Sequence, residues 1–278
     1  MNVTIPKYYP DSATIDKMIL KGVFGYSPDI NLCYMAIVII ATLNLVLVAM
    51  NVRNRKYKYM FGFNMIGWIQ IAGYSMRIVV INSPQVDKAT LKSNVLLSQI
   101  FLLLSPNILV LFTFRVVLEL LGKLEFDRKW AKTLKIIFIV YYIISFGVQI
   151  NGIIDIFSDD LTLQAQGRKY VLAGTVIQLV FFTFFVGFMS QVQLKSKNVQ
   201  GLLPMFIAFY IQIGCLFTRA AFRIASFAST STDDVNSHEY YVYLFDFMMI
   251  ATMFLTYSVL HYPRYLDRTS KVQPSKDV

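Results

Sequence analysis

Seven apolar stretches, separated by short polar connections, set the pattern of this chain. They cover approximately residues 31–51, 60–81, 95–121, 134–156, 170–191, 202–226 and 239–261. Each is long enough for a helix of roughly 20 residues, which crosses about 30 Å of hydrocarbon. The pattern predicts an all-α fold, an integral membrane bundle of seven transmembrane helices. The short connections argue for one transmembrane domain over 31–261, with an extracytoplasmic segment over 1–30 before it and a short basic cytoplasmic tail over 262–278 after it. No internal repeat is visible, nor the inverted half-and-half pattern of many secondary transporters. Pro204 falls in the first turn of its helix, where proline is tolerated. Pro106 falls in the middle of the third stretch and predicts a kink.

Composition supports the membrane reading. The chain is 56% hydrophobic and 15% charged, whereas soluble domains average about 45–50% apolar and about 25% charged residues. Its 23 Phe and 17 Tyr suit membrane interfaces and a greasy interior. A net charge of +10 raises the question of nucleic acid, but the basic residues sit in short loops between apolar runs, so no nucleic-acid partner is expected. Their distribution sets the orientation instead. Fifteen Lys and Arg lie on the side that holds 53–58, 123–135, 195–197 and 264–276, seven lie on the other, and four lie within the apolar stretches. The positive-inside rule then puts the N-terminus outside and the C-terminus in the cytoplasm, as an odd number of spans requires. Asn2-Val3-Thr4 is a glycosylation sequon on the outer side. The first 30 residues contain Lys7, Asp11, Asp16, Lys17 and Lys21 and no continuous apolar core, so no cleavable signal peptide is expected. Cys33 and Cys215 fall inside apolar stretches, where a buried free thiol is the ordinary state.

The charges inside the membrane are the informative residues. A charge at membrane depth costs a few kcal/mol or more unless it is paired, faces the protein interior or lines a wet cavity. Gln70, Tyr74 and Arg77 share one helical face at i, i+4 and i+7. Arg219 and Arg223 share another, four apart. Glu239, Tyr243 and Asp246 repeat the i, i+4, i+7 spacing. With Gln149 and Gln178, these side chains fall in the outer half of five helices. Two readings fit. One is an outward-facing pocket in which Arg77, Arg219 and Arg223 meet an anionic head group, Glu239 and Asp246 a cationic one, and the amides hydrogen-bond. The other is a set of buried ion pairs that fix helix packing. Arg115 and Glu119 are expected to pair locally, and His238 and His261 to be solvated tips at the two ends of the last helix.

Enzyme signatures are absent. The sequence has no paired-carboxylate metal motif, no His-rich box, no phosphate-binding Gly loop and no nucleophile elbow. Two histidines leave little for metal or acid–base chemistry. No catalytic residue, metal or cofactor is expected, and no nucleotide site for an ATP-driven pump.

Several pieces in order carry a resemblance. They are GYSPDINLCY (25–34), GYSMR (73–77), SQIFLLLSPNILVLFTFRVV (98–117), SFGVQINGII (145–154), RAAFR (219–223), HEYYVYLFD (238–246) and HYP (261–263). Together they make the chain similar to the fungal seven-span lipid-translocating exporter family. Members of that family are associated with aminocholesterol resistance, release of sphingoid long-chain bases and porphyrin handling. The resemblance implies a translocator of amphiphilic lipids that confers efflux or stress resistance. It places the protein in the plasma membrane, with the vacuolar or endoplasmic reticulum membrane as alternatives. The partner would be a membrane lipid or amphiphilic small molecule. The chain departs from the family at Gln70, where a Glu is usual, near Tyr142, where an Asp is usual, and near Ser226, where a Glu is usual. These losses beside retained arginines make the group more positive and put the family's ligand in question. The alternative class is a seven-helix sensor or receptor for a lipid-like ligand.

Overall fold

In a computed structural model of the chain, Phe24 and residues 26–54, 56–83, 87–124, 128–196, 201–228 and 238–272 are described. The sequon at Asn2 lies outside them, as do most of 1–30 and the end of the tail. Among the described residues every regular element is helical. In chain order they are α1 (Ile30–Arg53), a 3-10 turn (Lys58–Met60), α2 (Phe61–Asn82), α3 (Lys88–Lys123), α4 (Arg128–Ile156), α5 (Leu161–Lys195) and α6 (Leu203–Ala228). α7 follows as a single turn (Glu239–Val242), a π-helical stretch (Tyr243–Phe247) and a regular part (Met248–Val259), and α8 is Tyr262–Val272.

The starts of three helices are chemically marked. Asp29 accepts from the Asn31 amide at 2.9 Å and caps α1. Asp87 accepts from the amides of Ala89 and Thr90 and caps α3. Asp160 accepts from the Thr162 amide and caps α5. Each carboxylate satisfies backbone donors that the first helical turn leaves orphaned. Hydrogen bonds from the Thr162 hydroxyl and amide hold the exposed Asp160 carboxyl below its ordinary range.

Six helices are long and apolar enough to cross a membrane: α1, α3, α4, α5, α6 and the stretch Glu239–Asp267 containing α7. α2, with 22 residues, has the length but carries Asn64, Gln70 and Arg77. These three are buried, whereas its apolar Met65, Trp68 and Val79 are exposed. The helix thus buries its polar side chains together with Phe63, Ile66, Tyr74 and Val80 and leaves apolar ones outside.

From α1 to α7 each helix packs on the next in sequence, and α7 returns to α1, closing a ring. α3, α6 and α7 are the most buried, and α1, α4 and α5 the least. The faces that stay out are apolar, among them Ile136, Ile143 and Val140 of α4 and Phe184 of α5. That is the surface expected of helices bathed in lipid chains. α8 turns back under the bundle and packs on α3. There Lys123 donates to the Leu266 carbonyl at 2.5 Å and to the Tyr57 hydroxyl at 2.8 Å, and Tyr57 donates to Asp267 at 2.8 Å. The first part of the basic tail is therefore a folded helix.

Gly201, in the turn before α6, has φ of 87°, a left-handed conformation that a Cβ disfavours. Gly201→Ala is expected to lower stability by about 1 kcal/mol, read as a lower thermal midpoint of purified protein in detergent with unchanged helix content.

Candidate functional site

The site begins with three breaks in helical regularity. Pro106 has no N–H, so the Leu102 carbonyl four residues earlier loses its helical donor. In α7 the π-helical stretch Tyr243–Phe247 turns more widely than an α-helix, a local feature that concentrates at functional positions. On α6, Arg219 and Arg223 are one turn apart and project toward both irregularities.

Their meeting point is Asp246. Its Oδ1 accepts from Arg219 Nε and its Oδ2 from Arg223 Nη2. Arg219 Nη2 also donates to the Leu102 carbonyl at 3.4 Å, so one guanidinium serves both the π-helical acid and the oxygen freed by proline. Ser105 donates to that same carbonyl at 3.4 Å and accepts from Gln70 Nε2. The chain of polar contacts therefore runs from α2 through α3 and α6 to α7. Arg219 is 4% exposed and Asp246 6%. The cluster is desolvated and, in this conformation, closed over its own ion pairs.

A second pair lies beside it. Arg77, 1% exposed, donates to Glu239 Oε1 at 3.3 Å and to the Tyr26 hydroxyl. Its guanidinium carbon is 4.9 Å from the Phe24 ring centroid, 5.4 Å from that of Tyr26 and 5.9 Å from that of Tyr243. Three rings around one cation supply attraction that water would otherwise provide. Glu239 Oε2 accepts from the Asp29 amide at 2.5 Å, which ties the segment before α1 over this pair. Tyr74 separates the two charge groups. Its ring stacks on Tyr243 at 6.0 Å and meets Phe247 edge-on at 5.8 Å.

The spacing of Glu239, Tyr243 and Asp246 predicts one shared face. The structure separates them: Glu239 and Tyr243 serve Arg77, and Asp246 serves the α6 arginines. The wide π turn between them rotates Asp246 away. Gln149 and Gln178 belong to neither group. With Asn107 they form a closed ring of amides, in which Asn107 donates to Gln149 at 3.4 Å, Gln149 to Gln178 at 3.2 Å and Gln178 to Asn107 at 2.9 Å. A recess beside this ring is lined by Phe138, Tyr141, Tyr142, Phe181 and Phe182.

Sequence reasoning missed Tyr26, Ser105 and Asn107. Ser105 had a signal in the proline beside it, since a freed backbone oxygen attracts a polar side chain; Asn107 and Tyr26 had none. Two expectations need correction. Arg115 lies 5.5 Å from the Tyr59 ring centroid and makes no ion pair with Glu119. A ring in reach attracts the guanidinium without desolvating a carboxylate. His261 is buried between α7 and α8, with Nε2 3.0 Å from Asn54 Nδ2 at the end of α1. His238 is exposed, as expected.

Comparison with known families decides the broader identity. Residues 63–269 match the family described as RTA1 like protein. The chain belongs to that family. It is a family of fungal membrane proteins, and the match covers α2 through most of α8, including every charge of both groups. No curated protein and no solved structure matches the chain. As an RTA1-like protein it is a multi-pass membrane protein.

Proposed function

We propose that this RTA1-like protein is a translocator of amphiphilic lipids, of the type that moves sphingoid long-chain bases, sterol-like or porphyrin-like compounds between leaflets or out of the cell. α2 is its seventh span. The N-terminus is outside and the C-terminus cytoplasmic, in keeping with the fifteen-to-seven division of basic residues. The plasma membrane is the proposed location. No bond chemistry is involved.

The observation that carries this reading is the shared carboxylate. Two guanidiniums and one carboxylate, bound to one another inside an apolar bundle, cost desolvation that packing alone does not require, since apolar residues of similar volume do as well or better. Such a group is better suited to exchanging partners. Arg223 is its most accessible member, its side chain 14% exposed against 5% for Arg219. It can leave Asp246 while Arg219 stays, so a head group can be received without stranding a lone carboxylate. The apolar tail then remains in lipid or among exposed apolar faces.

The test is transfer of labelled sphingoid base and of a labelled acidic amphiphile across vesicles containing only the purified protein. Transfer of at least one above protein-free vesicles is expected. Arg223→Ala, which removes a charge without orphaning Asp246, is expected to slow it about tenfold or more, the worth of one charge-assisted hydrogen bond. Transfer of neither substrate by well-folded protein would sink the proposal.

A further inference from the structure

We infer that the Arg219–Arg223–Asp246 group is a receptor for an anionic head group, phosphate or carboxylate, on an amphiphile. The inference deepens the translocator reading and rests on it for the route of the ligand, but not for its charge. Two guanidiniums share one carboxylate, and each Asp246 oxygen is already taken by one of them. The other buried acid, Glu239, is held by Arg77 and the Asp29 amide. Among the described residues, then, the group carries one positive charge in excess, at a depth where charge is poorly tolerated.

An unused donor accompanies the excess charge. Arg223 Nε is buried and has no hydrogen-bond partner, while Nη2 of the same guanidinium is on Asp246. A guanidinium presents its donors in a planar fork that fits two oxygens of a phosphate or carboxylate. An anion arriving at Arg223 fills the empty donor and brings the group to neutrality. A cationic amine must instead displace Arg223 from Asp246, which leaves two guanidiniums and an ammonium around one carboxylate. Charge balance selects the anion.

The experiment uses the full-length purified protein in dodecyl maltoside micelles, with thermal midpoint as the readout. The micelles are doped with dodecyl phosphate, dodecylammonium or dodecanol, and a parallel series receives inorganic phosphate. Dodecyl phosphate is expected to raise the midpoint at a mole fraction about tenfold below any effect of dodecylammonium or dodecanol, a preference of the size one charge-assisted hydrogen bond supplies. Arg223→Lys keeps the charge but not the planar fork or the Nε donor, and its response should fall between those of wild type and Arg223→Gln. Arg223→Gln, which leaves a neutral Arg219–Asp246 pair, should need about ten times more dodecyl phosphate.

An equal response in Arg223→Gln, or a stronger response to dodecylammonium, overturns the inference. So does an equal shift from inorganic phosphate, which would mark a site for the free anion. Asp233 and Asp234 lie outside the described residues. A tenfold gain in dodecyl phosphate response on replacing both by Asn would show that they neutralise Arg223 in the native chain, and would also overturn it. Vesicle transfer separates the two proposals. Arg223-dependent anion binding without transfer leaves the site standing and removes the translocator; transfer of sphingoid base with no anion response does the reverse.

Discussion

Replacing Asp246 by alanine is expected to remove about 3–5 kcal/mol of stability, the usual cost of breaking a buried ion pair from one side. That is a large share of the roughly 5–15 kcal/mol by which folded proteins are stable. The loss is large because the carboxylate has two dependants. Arg219 would retain only the Leu102 carbonyl, at 3.4 Å, and Arg223 would have no partner among the described residues. Both charges would then be repelled by each other at membrane depth. Glu239→Ala should cost less, because Arg77 keeps the Tyr26 hydroxyl and the faces of Phe24, Tyr26 and Tyr243. Adding Arg223→Gln to Asp246→Ala should recover part of the loss, since one of the two stranded charges is gone. Thermal midpoints in detergent, read as a double-mutant cycle, give the coupling directly. An Asp246→Ala protein that melts with wild type would mean that water already reaches the arginines. The closed, dry cluster would then be the wrong description.

Six of the seven apolar runs were legible as membrane-crossing helices, because hydrocarbon forces each span to satisfy its own backbone and so to declare itself by length. α2 shows the limit of that signal. Its Asn64, Gln70 and Arg77 dilute its apolar character, and only their burial explains why the helix nevertheless sits within the ring. The residues of the charge cluster were also legible, as charges that had no business in lipid. Their pairing was not, because it depends on two departures from helical spacing. The π-helical stretch moves Asp246 off the face it shares with Glu239 in a regular helix. The proline exposes a backbone oxygen that a reading of side chains passes over. Tyr26 and the Asp29 amide reach the site from a segment with no periodicity, where sequence offers no register to project from.

Gly167→Ala is expected to be nearly as damaging as loss of Asp246, for reasons of shape and not charge. Without a driving force from water, membrane helices adhere through close packing, and small residues let their backbones approach. A Cβ on Gly167 would lie 2.5 Å from the Gly152 carbonyl oxygen and 2.7 Å from the Ile156 amide nitrogen; one on Gly152 would lie 2.7 Å from the Gly167 carbonyl oxygen. These obstacles are backbone atoms of the facing helix, so no rotamer change relieves them and α4 and α5 must separate. The seam also holds the Ser145 hydroxyl, which donates to the Gly174 carbonyl at 3.0 Å, and the Gln149–Gln178 bond of the amide ring. A shift of even part of an ångström weakens both, in addition to the about 1–3 kcal/mol that overpacking itself costs. Gly187, in the same helix, has nothing within 4 Å of its would-be Cβ. Gly187→Ala should therefore be neutral, or raise stability by up to about 1 kcal/mol through helix propensity. The same substitution in one helix should thus give opposite signs at two positions 20 residues apart. If the two alanine proteins melted together, the close approach of α4 and α5 would have to be abandoned.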